Sequence, residues 1–145
     1  MALPKYPIIT APALGAILKC HFDGFVSPEM LKTRPVLVIA PPIKQRPKLC
    51  TIIPLSTTTP DPEMPYHLEI AMPTPSLPEP FDNPSAWVKA DMLYAVSFSR
   101  LERFYYKQGQ RRNYVVPVIK ADLMKEIQRR VLRGLGLRFL EKGLR

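Results

Sequence analysis

The chain has 145 residues, 46% of them hydrophobic, and carries 21 Lys and Arg against 12 Asp and Glu for a formal charge of +9. At this length roughly two-thirds of the unfolded surface can be buried in one compact core without help from a metal or a disulfide, and the positive balance favours an acidic partner such as nucleic acid or an acidic protein segment. No apolar run approaches the roughly 20 residues of a membrane span, and Pro4, Pro7 and Pro12 interrupt the N-terminal stretch where a signal peptide needs an unbroken apolar region, so a soluble cytoplasmic protein is expected.

Gly15 to Phe22, "GAILKCHF", alternates: Ala16, Leu18, Cys20 and Phe22 share one side, and Ile17, Lys19 and His21 the other. That is the period of a strand. Cys20 and Cys50 are far apart and, with His21 and His67, form no metal-ligand spacing, so two buried thiols and no metal or cofactor are expected. "DGFVSPEMLKT" contains Gly24 and Pro28 and reads as a loop carrying Glu29 and Lys32.

The loop delivers the chain to Arg34. Pro35 fixes its own φ and biases Arg34 toward extended backbone, and the β-branched run Val36 to Ile39 then reads as a central strand. "LCTIIPLS", Leu49 to Ser56, is the next strand and ends in the hydroxyl run Ser56, Thr57, Thr58 and Thr59. Whether a hairpin of these two strands brings Arg34 to the hydroxyls depends on a register that the residues leave open.

From Pro60 to Pro84, eight of 25 residues are proline, interrupted by the strand-like "YHLEI" around His67. Ala86 to Val96 reads as one further strand, whose alternation puts Trp87, Lys89, Asp91 and Leu93 on one face. Arg100, Arg103, Lys107, Arg111 and Arg112 interleave with Phe104, Tyr105 and Tyr106, a composition suited either to a groove for a nucleic-acid strand or to a solvated loop. "YVVPVI", Tyr114 to Ile119, predicts an edge strand in which Pro117 is tolerated. Leu123, Ile127, Val131 and Leu135 then repeat every four residues in a helix ending at Gly134 or Gly136, with Arg129, Arg130, Arg133, Arg138 and Arg145 as its polar face.

The ordered set "GAILKCHF", "PEMLKTRPVLVIAP", "IIPLSTT", "YHLEI" and "WVKADMLYAVSFSRL", closed by a helix ending in "LGL", resembles the MazF/PemK/Kid family of toxin endoribonucleases from about Gly15 to Leu137. The resemblance implies a mainly β, SH3-like barrel with a C-terminal helix, one domain over 1–145, usually a homodimer. It implies metal-independent cleavage of single-stranded RNA, in which the 2′-hydroxyl attacks and a cyclic phosphate results, and neutralisation by a cognate acidic antitoxin.

Residue by residue, the resemblance makes Arg34 the stabiliser of the charge gathered on a pentacovalent phosphorane, and the group that positions or protonates the leaving oxygen. A planar, permanently charged fork suits that task. The family's threonine aligns with Ser56, or with Thr57 if the loop shifts by one. The acidic residue two positions after a basic one in the Kid branch aligns with Asp91 as base and Lys89 as its cationic partner. Glu29, Lys32, His67, Arg100 and Arg103 are the expected substrate contacts. Pro28 replaces a Kid-branch histidine and Lys89 an arginine.

Two other functions remain open on the residues. CcdB-type gyrase poisons resemble the same fold but bind a protein through the C-terminal helix, and a catalytically silent relative would bind nucleic acid and regulate. On the bland reading, Arg34 is a structural cation paired with Glu29 or Asp91.

Overall fold

The structure, a computed structural model, describes residues 3–144. Nine strands and one long helix follow one another: β1 (Ile17–Cys20), β2 (Arg34–Ala40), β3 (Leu49–Ser56), β4 (His67–Ala71), β5 (Ser85–Lys89), β6 (Tyr94–Ser97), β7 (Leu101–Glu102), β8 (Phe104–Gln108), β9 (Arg111–Val115) and α1 (Ala121–Gly134). The mainly β class with a C-terminal helix is as expected. Seven strands form an antiparallel sheet in the order β4-β5-β3-β2-β1-β7, and β6 also pairs with β3. This hydrogen-bonded path does not close on itself among the described residues.

β3 organises the sheet. β2 runs along one edge of it, while the other edge is shared: β6 pairs with Leu49 to Ile52, and β5 takes over at Leu55 and Ser56. The apolar runs of β2 and β3 follow from burial on both faces. Ile17, Leu37, Ile53, Leu55, Val88 and Phe104 point into a core shared with Met124 and Ile127 of α1. Leu18, Phe22, Val36, Val38, Ile52 and Phe98 fill a second core on the opposite face. The alternation expected along β1 is therefore observed with both sides in use: Ile17 enters one core and Leu18 the other, while Lys19 and His21 meet the buried carboxylate of Glu102 at 3.2 and 2.8 Å.

The chain departs from the expectation in two places. Ala86 to Val96 is not one strand. It turns at Ala90 and Asp91, where the Met92 N–H donates to the Lys89 carbonyl at 2.9 Å, so Lys89 and Asp91 do not share a strand face. The basic segment after Arg103 is not a loop either: β8 and β9 form a hairpin from Phe104 to Val115. Gly109 opens its two-residue turn at φ +64°, the glycine-first pattern that matches the twist of paired strands. Of the expected edge strand, only Tyr114 and Val115 are paired in this hairpin, and Val118 makes a lone bridge to Ala16.

α1 closes the first core and ends against the 90–91 turn. A Cβ on Gly134 would lie 2.9 Å from the Asp91 Cα and 3.0 Å from the Ala90 carbonyl oxygen. Helix propensity alone makes Gly134→Ala stabilising by about 1 kcal/mol. The backbone contact reverses the sign, and we expect a net loss of about 1–2 kcal/mol in denaturant unfolding. A stabilised variant would show that helix and turn can separate freely.

The arginines of the helix are not an open face. Arg129 and Arg130 pair with Glu126 at 3.1 and 3.0 Å, Arg130 also donates to the His67 carbonyl at 2.6 Å, and Arg133 pairs with Glu141 at 2.9 Å. Arg138 reaches Glu141 at 3.7 Å, and Arg145 lies outside the described residues. No helix among those residues is long and apolar enough to cross a membrane.

Candidate functional site

Arg34 is the first residue of β2 and Ser56 the last of β3. The ladder pairs Leu37 with Ile53 and Val36 with Pro54, so the same register carried two residues further sets Arg34 opposite Ser56. On its other side Arg34 pairs with Cys20 of β1. The guanidinium therefore emerges between two neighbouring strands, which explains its partial burial.

A cavity of about 230 Å³ opens there, with Lys32, Thr33, Arg34, Ser56, Thr57 and Thr58 on its walls. Phe81, Asn83 and Ser85 supply the far side. The cavity thus combines two cations with hydroxyl and amide groups, and no carboxylate or imidazole belongs to its lining. Ser56 is buried, and its Oγ accepts the Thr58 N–H at 3.1 Å, a local turn that leaves its O–H able to donate elsewhere. Thr57 is exposed beside it.

Arg34 has no carboxylate partner among the described residues; neither Glu29 nor Asp91 reaches it. Its Nε is buried with no hydrogen-bond partner, the one such side-chain atom found there. Burial draws the guanidinium below its ordinary pKa, yet arginine stays a cation at neutral pH. Native structures rarely leave a buried charged donor unmet. The rest of the guanidinium makes no hydrogen bond among the described residues, and Arg34 lines the cavity beside the hydroxyls, a wall suited to an anion of several oxygens.

The other expected site residues fall elsewhere. Asp91 is exposed in the turn beneath Gly134, and Lys89 pairs with His67 across β5 and β4. His67 is buried, and its Nδ1 accepts the Met64 N–H at 3.0 Å, which caps the entry to β4. The Glu29 carboxylate accepts the Val26 N–H at 2.6 Å and stays within its own turn. Arg100 donates to the carbonyls of His21 at 3.0 Å and Asp23 at 2.7 Å, clamping the β1–β2 loop. Arg103 stacks on Tyr114, with its guanidinium carbon 3.7 Å from the ring centroid. Burial pushes the Cys20 thiol up to about 12 and Cys50 to about 11, which leaves neither as a thiolate nucleophile near neutral pH.

The wall formed by Phe81, Asn83 and Ser85 has no mark in the sequence. After Phe81, "DNPS" offers only turn-forming residues, and nothing local says that this segment returns to β3. Phe81 is held by an edge-to-face contact with Phe104, centroids 5.3 Å apart.

Comparison with known proteins agrees with this architecture. The uncharacterized protein YifN of Escherichia coli strain K12 is 31% identical over 144 residues, covering 87% of this chain and 93% of YifN. The crystal structure of MazF from Deinococcus radiodurans superposes with a TM-score of 0.56 at 20% identity, covering 87% of this chain and 97% of that one. An endoribonuclease in complex with its cognate antitoxin, from Mycobacterial species, superposes with a TM-score of 0.53 at 19% identity, covering 87% and 96%. The sequence profile of one family matches residues 13–135. The chain belongs to that family, the PemK-like, MazF-like toxins of type II toxin-antitoxin systems.

Proposed function

We propose that the protein is a metal-independent endoribonuclease, the toxin of a toxin–antitoxin pair, and that Arg34 with Ser56 and Thr57 acts on the scissile phosphate. The observation that carries this reading is Arg34, a guanidinium with no hydrogen-bond or ion-pair partner among the described residues, on the wall of a cavity of cations and hydroxyls without a carboxylate. Single-stranded RNA supplies the complementary group, a phosphodiester with two non-bridging oxygens.

In the proposed reaction the 2′-hydroxyl oxygen attacks the neighbouring phosphorus, gives its proton to solvent water, and closes a 2′,3′-cyclic phosphate as the bond to the 5′ oxygen breaks. The leaving oxygen takes a proton from solvent water and departs as a 5′-hydroxyl. Arg34 donates to the phosphorane oxygens, where a preorganised cation is worth most because charge develops there. The free O–H groups of Ser56 and Thr57 donate beside it, and Lys32 adds charge at the cavity mouth. Asp91 receives no part in this scheme, since it lies in the turn under the helix end and not on the cavity wall.

The remaining assignments belong to the same reading. The chain acts as one domain, assembles as a homodimer, works in the cytoplasm, and is silenced by an acidic antitoxin that covers the cationic cavity. The antitoxin-bound endoribonuclease of similar fold supports that partner.

The test is substrate chemistry. A single 2′-deoxy substitution 5′ of the cut should abolish cleavage at that bond while neighbouring bonds still break. Continued cleavage at the substituted bond would mean that a water, and not the 2′-hydroxyl, is the nucleophile.

A further inference from the structure

The β8–β9 hairpin carries a one-sided chemistry that the cavity does not use. Tyr105 faces Tyr114 and Lys107 faces Arg112 across the ladder, and Arg103 precedes Tyr105 by two, so these five residues share one face. Three cations and two rings stand there, and no acidic residue occurs from Arg103 to Val115. The opposite face goes to structure: Phe104 is buried in the core, and the Tyr106 hydroxyl donates to the Ser76 carbonyl at 2.7 Å.

The two arginines are ordered by rings and not by carboxylates. Arg103 lies 3.7 Å from the Tyr114 centroid, Arg112 lies 3.5 Å from that of Tyr6, and the Tyr105 and Tyr114 rings meet edge to face at 5.7 Å. Among the described residues Arg103, Lys107 and Arg112 form no ion pair. A guanidinium stacked on a ring keeps its N–H edge for phosphate, and its other face for a base.

This face is continuous with the cavity. Phe81, on the cavity wall, also lines a cleft of about 200 Å³ whose other walls include Lys19, Tyr105 and Lys107. Glu79 also lines that cleft. The route from Arg34 past Phe81 therefore arrives at the stacked rings and cations of the hairpin.

We propose that this hairpin face binds the single-stranded RNA flanking the cut, with bases stacked against Tyr105, Tyr114 and the guanidinium planes and phosphates paired with Arg103, Lys107 and Arg112. The proposal rests on the nuclease reading for the identity of its ligand. Alternation of ring and cation favours a nucleic-acid strand over an acidic peptide, because each nucleotide brings one stacking face and one charge.

The experiment measures anisotropy of labelled 2′-O-methyl oligouridine, which lacks a free 2′-hydroxyl, in long (about twelve nucleotides) and short (about four) forms. Lys107→Gln/Arg112→Gln should weaken the long form about tenfold or more and lower its salt slope by about 1.4, for two phosphates at about 0.7 each. Binding of the short form and cleavage of a short RNA should stay unchanged. Tyr105→Leu/Tyr114→Leu, a second variant that keeps every charge, should weaken the long form without changing the slope. Folding of each variant is checked by thermal unfolding.

Unchanged long-form affinity and slope in both folded variants would overturn the proposal. So would variants that keep RNA affinity and lose binding of a poly-glutamate peptide, which would make the face a protein-docking surface. Binding here does not depend on cutting. Loss of the nuclease reading would appear as wild-type protein that leaves RNA intact, whereas loss of this proposal would appear as hairpin variants that bind like wild type.

Discussion

Arg34→Met is expected to give a protein that folds at least as well as wild type and has lost nearly all RNA cleavage. The two halves of this result rest on different atoms of one side chain. The buried Nε of Arg34 has no partner among the described residues, and leaving such a donor unmet costs about 1–3 kcal/mol. Methionine has a similar reach and no polar demand, so equilibrium unfolding should show unchanged stability or a gain of about 1 kcal/mol. Removing one preorganised donor from a developing oxyanion costs about a hundred- to a thousandfold in rate. Arg34→Lys should restore little, because a point charge replaces the planar fork that can bridge two phosphate oxygens. A structural arginine would behave in the opposite way, with Arg34→Met unfolding more easily and any cleavage surviving in the folded fraction.

Phe104→Ala should be the most destabilising of the changes considered, by about 3–5 kcal/mol in denaturant unfolding. Phe104 is 1% exposed, belongs to the core under α1, and packs edge to face on Phe81. The Lys19 ammonium also lies 5.6 Å from its ring centroid. The residue thus ties β8 to the core and braces the wall of the cavity. The folded fraction of this variant should bind RNA less tightly as well, because both the Phe81 wall and the hairpin root lose their support. A loss below about 1 kcal/mol would mean that the hairpin is not integral to the core.

How much of this was legible in the sequence depended on how local the signal was. Arg34 and Ser56 could be read because each is marked by its immediate neighbours: Pro35 restrains the arginine backbone, and a hydroxyl run ends an apolar strand. That they meet is a matter of register, which the pairing of Val36 with Pro54 settles. Asp91 was misplaced on a strand face because alternation was carried through "KADML", where no Gly or Pro marks a break. The turn there packs against Gly134, a contact between residues far apart in sequence.

The hairpin was hidden by its charge. Gly109 is a proper turn signal, but Lys107, Arg111 and Arg112 leave the flanking strands without apolar alternation, and of the expected strand Tyr114 to Ile119 only the first two residues belong to β9. The Phe81 to Ser85 wall had no local mark at all, since it becomes part of the cavity only when β5 pairs with the end of β3. His67 caps the entry to β4, with Nδ1 accepting the Met64 N–H, a bond that only the three-dimensional turn brings about.

The central claim is that Arg34 stands at the start of β2 to meet a phosphate, and the most direct measurement of it is end-group analysis. Wild type and Arg34→Met are incubated with a mixed-sequence single-stranded RNA in excess chelator, and the new termini are identified by mass. The account predicts 2′,3′-cyclic phosphate and 5′-hydroxyl ends from wild type and intact RNA from Arg34→Met, with both proteins folded. Equal cleavage by both would contradict it, and intact RNA with both would leave a nucleic-acid-binding or protein-binding relative in place of the nuclease.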